Sequence, residues 1–92
     1  MITFGTLKRP ALLGVNSIFP NTTVSDLNNF AYTGYGWCPS STLNRPSEEE
    51  GEALVLFNGG RCFQLFITTG GYIFARFGLP ARPTWSQWIA AN

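Results

Sequence analysis

The clearest pattern in the chain is a series of apolar runs separated by glycine turns between residues 53 and 77. The run Ala53–Phe57 is followed by Asn-Gly-Gly at 58–60 and by a second run, Arg61–Ile67. Asn-Gly between apolar runs is the strongest short-range signal for a β-hairpin, because both residues tolerate positive φ. A second glycine turn at 68–71 leads into a third run, 72–77. The pattern predicts a three-stranded antiparallel meander.

Shorter elements flank this meander. Ser25 or Asp26 can cap a single helical turn, which the asparagines at 28 and 29 soon end. Tyr35–Cys38 predicts a short strand within a glycine- and proline-rich stretch, and Thr84–Ile89 predicts a last strand. The fold class is therefore mainly β, a small antiparallel sheet made of a three-strand meander plus short flanking strands, with one short helical turn.

The chain is long enough for one domain but not for two separate cores, since it has 92 residues. Residues 1–23 contain two prolines and scattered apolar residues, with a possible strand at Ile2–Phe4 and a basic pair at positions 8 and 9. We assign 1–23 to an extended arm or partner-docking segment and 24–92 to one β domain.

Both faces of the predicted meander are largely apolar. In a sheet with one face in water, alternate positions are polar. Here one face of the second strand carries Phe63, Leu65 and Ile67, and the other carries Cys62, Gln64 and Phe66. So small a domain has few elements to cover two apolar faces. We expect one face to pack on the chain's own arm and the other on a neighbouring subunit.

Composition excludes several classes of function. Charged residues make up 12% of the chain, aromatic residues 15%, and the net charge is +1. Disorder requires more charge and fewer aromatic residues, and general binding to nucleic acid requires a clustered positive field. The longest wholly apolar run is 53–57, far too short to span a membrane. We expect neither nucleic acid nor membrane insertion among the partners.

The sequence offers little for catalysis or cofactor binding. It has no histidine, so histidine triads, histidine metal sites and histidine acid–base relays are excluded. Four of the five acidic residues crowd into 48–52, a run that predicts a solvated loop. Cys38 and Cys62 lack the spacing of a zinc site and are expected to be buried and reduced, although a disulfide between them stays open. We expect a non-enzymatic protein with no catalytic residue, metal or cofactor.

Binding of sugars fits the aromatic residues better. Flat rings with polar edges pack on the C–H faces of sugars while nearby polar groups meet the hydroxyls. The candidate ligand-binding residues are Tyr35, Trp37, Arg82 and Trp85. A core position for Trp37 stays open. On one extended strand Trp85 and Trp88 would face opposite sides, and we expect Trp88 in the core or the subunit interface.

The order of short motifs resembles the knob module of phage tail fibres and of phage-tail-like bacteriocins, the pyocin knob. The resemblance covers about residues 24–90, nearly three quarters of the chain. It rests on Asp26-Leu-Asn28, Gly34-Tyr35, Pro46, Gly51-Glu-Ala-Leu-Val-Leu, Gln64-Leu-Phe, Tyr72-Ile-Phe-Ala-Arg76 and Trp85-Ser-Gln-Trp88. The stretch Gly34-Tyr-Gly-Trp37 departs from a tighter glycine–aromatic–tyrosine pattern.

The resemblance implies a homotrimeric knob that adheres to a bacterial surface polysaccharide or lipopolysaccharide. It implies a place in the virion tail, assembled in the host cytoplasm and exposed extracellularly. It also implies that a set of recurrent positions is structural framework: Asp26, Asn28, Gln64, Arg76 and Trp88. Host specificity is expected in the loops 36–50 and 78–84.

Two alternatives stay open. The chain can be a structural trimerisation or capping element, or a small tail component that docks on another fibre or tail protein. It can also be a monomeric carbohydrate-binding module. Whether it is a whole small gene or a piece of a long fibre gene is left open as well.

Overall fold

Six strands form one antiparallel sheet, which confirms the predicted mainly β fold. The computed structural model describes residues 23–92, so nearly all of the predicted arm, including Ile2–Phe4 and the basic pair, lies outside the described residues. The strands are β1 (Gly34–Cys38), β2 (Gly51–Asn58), β3 (Arg61–Thr68), β4 (Ile73–Leu79), β5 (Thr84–Trp85) and β6 (Ile89–Ala90). Their spatial order is β1-β2-β3-β4-β5, and β6 also pairs with β4.

The hairpin between β2 and β3 forms where the sequence predicted it, but its two turn residues are Gly59 and Gly60 rather than the Asn-Gly pair. Asn58 pairs with Arg61, and the two glycines between them have φ of 60° and 83°. Such a turn needs positive φ at both central positions, and its twist matches that of the strands it joins. The turn thereby fixes the register of β2 on β3, and with it which side chains share a face.

The prediction of one continuous last strand over Thr84–Ile89 is wrong. The chain pairs with β4 at β5 and again at β6, and it departs from β4 between these two strands. Trp85 pairs with Gly78, and Ile89 pairs with Ala75. Between them the Ser86 hydroxyl accepts a hydrogen bond from the Phe77 N–H at 2.9 Å. The Ser86 side chain thus replaces a strand bond at the point where residues 86–88 depart from the sheet.

One face of the sheet is covered by residues 24–30. A single 3₁₀ turn, Leu27–Asn29, lies on this face with Asp26 as its N-cap, as the sequence predicted. The core consists of small and medium side chains from the sheet and apolar side chains from the covering segment: Val24, Leu27, Phe30, Cys38, Ala53, Val55, Cys62 and Phe66. We call this side of the sheet the covered face.

The opposite side, which we call the outward face, is apolar and exposed. It carries the alternate residues of β2, β3 and β4 together with Ile89, namely Leu54, Leu56, Phe63, Leu65, Ile67, Ala75, Phe77 and Ile89. Leu56 is 65% exposed, Phe63 46% and Ile89 67%. Both faces of the meander are therefore apolar, as expected, and residues 24–30 cover only one of them.

The two cysteines are free and buried on the covered face. Burial raises the pKa of the Cys38 thiol to about 11, so this thiol stays protonated at neutral pH. Within residues 23–92, no helix has the length and apolar character needed to cross a membrane.

Candidate functional site

A buried glutamine joins the covering segment to the sheet. The Gln64 side-chain amide donates to the carbonyl of Leu27 at 2.9 Å and to that of Phe30 at 2.8 Å. These two carbonyls belong to the 3₁₀ turn and its C-cap, where the carbonyl of Leu27 also accepts the backbone N–H of Phe30 and that of Phe30 also accepts the Cys62 thiol. Gln64 is 1% exposed, so water does not offer these carbonyls an alternative donor.

Arg76 continues this network on the neighbouring strand. Its Nε donates to Oε1 of Gln64 at 2.8 Å, and its Nη2 donates to Oδ1 of Asn28 at 2.9 Å. The guanidinium carbon lies 4.1 Å from the ring centroid of Trp85 and 4.5 Å from that of Trp88. Burial lowers the pKa of this guanidinium to about 10, which still leaves it charged at neutral pH. Two aromatic rings and two oxygen acceptors replace its lost hydration.

The network closes through a loop residue that the sequence analysis missed. The indole N–H of Trp88 donates to the carbonyl of Asn44 at 3.0 Å, and the Asn44 amide donates to Asp26 at 2.7 Å. The same oxygen of Asp26 accepts from the backbone N–H of Asn28 at 2.9 Å. Asn44 has φ of 66°, a conformation that asparagine tolerates better than most residues. An asparagine in a loop was the only signal in the sequence.

All five residues that the resemblance placed in the framework therefore meet in one network: Asp26, Asn28, Gln64, Arg76 and Trp88. Trp85 joins them because its ring lies over the guanidinium of Arg76. The same ring lies against Gly78, where any Cβ would collide with it. The expectation that Trp85 and Trp88 face opposite sides is wrong. Residues 86–88 leave the strand, which lets both rings reach Arg76.

The four candidate ligand-binding residues do not form one cluster. Tyr35 and Trp37 lie on the outward side of β1, because the alternate residues of this strand are buried on the covered face. Trp37 is 39% exposed. Arg82 is exposed in the turn between β4 and β5, and Trp85 is half-buried in the framework network. The structure thus separates an outward aromatic pair from a basic turn and a packed tryptophan.

The loop between β1 and β2 is organised by a single arginine. Arg45 donates to four backbone carbonyls at 2.7–3.1 Å, those of Ser40, Thr42, Ser47 and Glu49. This folds the loop around an open, polar groove of about 380 Å³ lined by residues 40–48. This role could not be predicted from the sequence, because the partners of Arg45 are carbonyls that every residue carries. Glu48, Glu49 and Glu50 are exposed at the loop's end, as predicted.

Glu52 departs from the solvated run to which the sequence assigned it. It lies in β2 on the outward side, paired with Trp37 on one neighbouring strand and with Ile67 on the other. Burial against these side chains raises the pKa of its carboxyl group above the ordinary value of 4.5. Within residues 23–92, its carboxylate makes no hydrogen bond or ion pair.

No group of three or more acidic residues and cysteines within residues 23–92 is arranged to hold a metal ion. The geometry instead offers a rigid sheet, two ordered loops and an exposed apolar face. A search of protein-family models and a search of curated proteins both found no match.

One solved structure shares the arrangement of strands. It is a C-terminal fragment of the P. aeruginosa R1 pyocin fibre, superposed with a TM-score of 0.62 at 19% sequence identity. The likeness covers 78% of this chain and 20% of the fibre fragment. The chain has a tail-fibre-like fold. It spans about a fifth of the length of that fragment, so the likeness concerns the fold of one part of a fibre.

Proposed function

We propose that the protein is a non-enzymatic knob of a phage tail fibre or tail-like bacteriocin, which assembles as a homotrimer and adheres to a bacterial surface glycan. The observation that carries this proposal is the exposed outward face on a tail-fibre-like fold. Monomeric proteins seldom leave a contiguous apolar sheet face in water.

A second and third copy of the chain are the partners that suit this face. The face carries charge only at its margins, with Glu52 at one end and Arg61 at the other, and such a composition is typical of permanent subunit interfaces. In a fibre the copies lie side by side around one axis, so each outward face meets its neighbours with all strands running the same way. Three chains together then bury their apolar outward faces, which a single chain of this size leaves exposed.

Adhesion to a glycan is supported by the distribution of exposed groups rather than by a deep cavity. The ordered loop around Arg45 and the turn containing Arg82 lie at opposite ends of the sheet, on a rigid scaffold. Recognition surfaces are commonly built from such loops. The open groove within the Arg45 loop suits hydroxyl-rich polymers better than small apolar ligands.

The experiment that tests assembly is native mass over a dilution series, with one pair of outward variants. The wild-type chain should give a stable species near three times 10.1 kDa. Leu65→Gln and Leu56→Gln each place an amide on the outward face, so each should shift the trimer towards monomer while keeping the β-sheet circular dichroism signal. A wild-type monomer at all concentrations would refute the trimer and favour a monomeric carbohydrate-binding module.

Adhesion is tested separately with a panel of bacterial strains. The trimer should bind cells whose surface polysaccharide is intact, and strains lacking that polysaccharide should not be bound. A stable trimer that binds no strain and no purified polysaccharide would favour the alternative role of a trimerisation or capping element.

A further inference from the structure

The two ends of the sheet carry opposite charge. The turn at 59–60 and the turn at 80–83 form one end, which we call the hairpin end, and it carries Arg61 and Arg82. The opposite end is formed by the loop 39–50 and the turn at 69–72, and it carries the glutamates 48–50 with Glu52 beside them. The eight residues of β2 separate the two ends by about 25 Å, at about 3.3 Å per residue.

The two arginines of the hairpin end are neighbours. Cys62 pairs with Gly78, so Arg61 lies opposite Leu79, one position further along. The carbonyl of Leu79 accepts the backbone N–H of Arg82 at 2.8 Å, which places Arg82 in the adjoining turn. The Arg61 guanidinium lies over the hairpin turn, since a Cβ built on Gly59 would be 3.2 Å from its Nη1.

Within residues 23–92, several hydrogen-bond donors at the hairpin end have no acceptor. Arg45 and Arg76 bind the protein's own oxygens through their guanidinium groups. In the part of the chain that the structure describes, the guanidinium groups of Arg61 and Arg82 make no such bond. The backbone N–H groups of Gly59 and Gly60 likewise have no acceptor there. Two planar cationic forks and two amide donors thus face solvent at one end, without a nearby carboxylate.

We propose that the hairpin end binds a phosphate group on the surface glycan. This inference rests on the proposed function and names the chemical class of its ligand. Guanidinium groups form paired, charge-assisted hydrogen bonds with phosphate oxygens, and backbone N–H groups at a tight turn add further donors. Phosphate offers more acceptor oxygens than a carboxylate, which suits two arginines and a turn. In a parallel trimer three such sites share one end, and binding at several sites multiplies a modest affinity.

The test uses a simple probe that does not depend on knowing the host. The ¹⁵N-labelled full chain is titrated with glucose 1-phosphate while the amide signals of Gly59, Gly60 and Arg61 are followed by NMR. These signals should shift and saturate. Methyl glucoside, a neutral sugar, should leave them in place, and glucuronate should bind more weakly than the phosphate.

Matched variants locate the site. Arg61→Gln with Arg82→Gln removes both guanidinium groups from exposed positions and should weaken binding of the sugar phosphate about tenfold or more. Ser41→Asp with Thr69→Asp lowers the net charge by the same amount at exposed positions of the opposite end, and should leave binding nearly unchanged. Unaltered binding in the arginine variant, equal losses in both variants, or glucuronate bound as tightly as the phosphate would each overturn the proposal.

Adhesion then separates this inference from the proposed function. If cells are bound by the wild type but not by the arginine variant, both stand. If the arginine variant adheres as well as the wild type, the phosphate site is refuted and the knob remains. If glucose 1-phosphate binds at the hairpin end but neither cells nor polysaccharides are bound, the adhesive function is refuted instead.

Discussion

At the scale of single residues, Gln64 and Arg76 determine how the covering segment is attached to the sheet. Each is a polar side chain among apolar neighbours, and each makes hydrogen bonds at 2.8–2.9 Å. A buried polar group is costly when it lacks a partner. The pair therefore fixes the position of the 3₁₀ turn through hydrogen bonds that offset part of the cost of burying them.

Replacing Gln64 with leucine tests this attachment. Gln64→Leu keeps the approximate volume but removes the amide donor shared by the carbonyls of Leu27 and Phe30 and leaves Nε of Arg76 without its acceptor. We expect the free energy of unfolding to fall by about 2–4 kcal/mol in chemical denaturation. Leu65→Gln, the opposite change one residue later on the outward face, should cost much less of this free energy once any dissociation of the proposed trimer is accounted for. Equal losses would show that the network contributes nothing beyond burial.

Glu52 gives the protein a predictable dependence on pH. Its carboxyl pKa is raised by burial, so folding favours the protonated form. The contribution of this group to the free energy of unfolding is fully present below pH 4.5, and it is lost as the pH rises through the raised pKa. Glu52→Gln should therefore melt at a higher temperature than the wild type at pH 7, and the difference should vanish near pH 4.

The control for this prediction is Glu48→Gln, which removes the same charge from the exposed loop. It should shift the melting temperature little at either pH. A gain for Glu52→Gln that persists unchanged at pH 4 would mean that the amide makes a new contact, and the explanation by burial of the charge would fail.

At the scale of elements, the interruption between β5 and β6 brings two tryptophans onto one guanidinium. The sequence predicted a strand here because Thr84–Ile89 is rich in aromatic and β-branched residues. It could not show the interruption, because the Ser86 hydroxyl substitutes for a strand bond only when Phe77 lies opposite. Period-two alternation therefore failed for Trp85 and Trp88, although it assigned the two faces of β3 correctly.

Truncation of Trp85 tests the importance of this element. Trp85→Ala removes the ring that lies between Gly78 and Arg76, and we expect it to lower the free energy of unfolding by about 3 kcal/mol. Tyr72→Ala is the matched control, because Tyr72 is an exposed aromatic residue in the preceding turn. It should cost less than about 1 kcal/mol. Unchanged unfolding of Trp85→Ala together with weakened sugar binding would assign Trp85 to ligand binding instead.

At the scale of the whole molecule, the sequence predicted where strands and apolar faces lie better than which side chains form hydrogen bonds with one another. The strands and both apolar faces followed from local pattern and from the glycines after Asn58, since these depend on neighbouring residues. The bond from Trp88 to Asn44 depends on how distant segments fold together. The four bonds of Arg45 are local, but their acceptors are backbone carbonyls, which no residue type marks in the sequence. The separation of charge between the two ends depends on strand register, which places Arg61 beside the turn containing Arg82.

The alternation of covered and outward positions also bears on how such a chain can evolve. Covered positions contact the chain's own residues, so a change there must be matched within the same fold. Outward positions contact solvent or another copy, and they can change together with that copy while the sheet persists. About half of the strand residues can thus change without altering the packing of the chain's own core. A superposition at a TM-score of 0.62 with 19% identity shows that this arrangement of strands can be built from very different side chains.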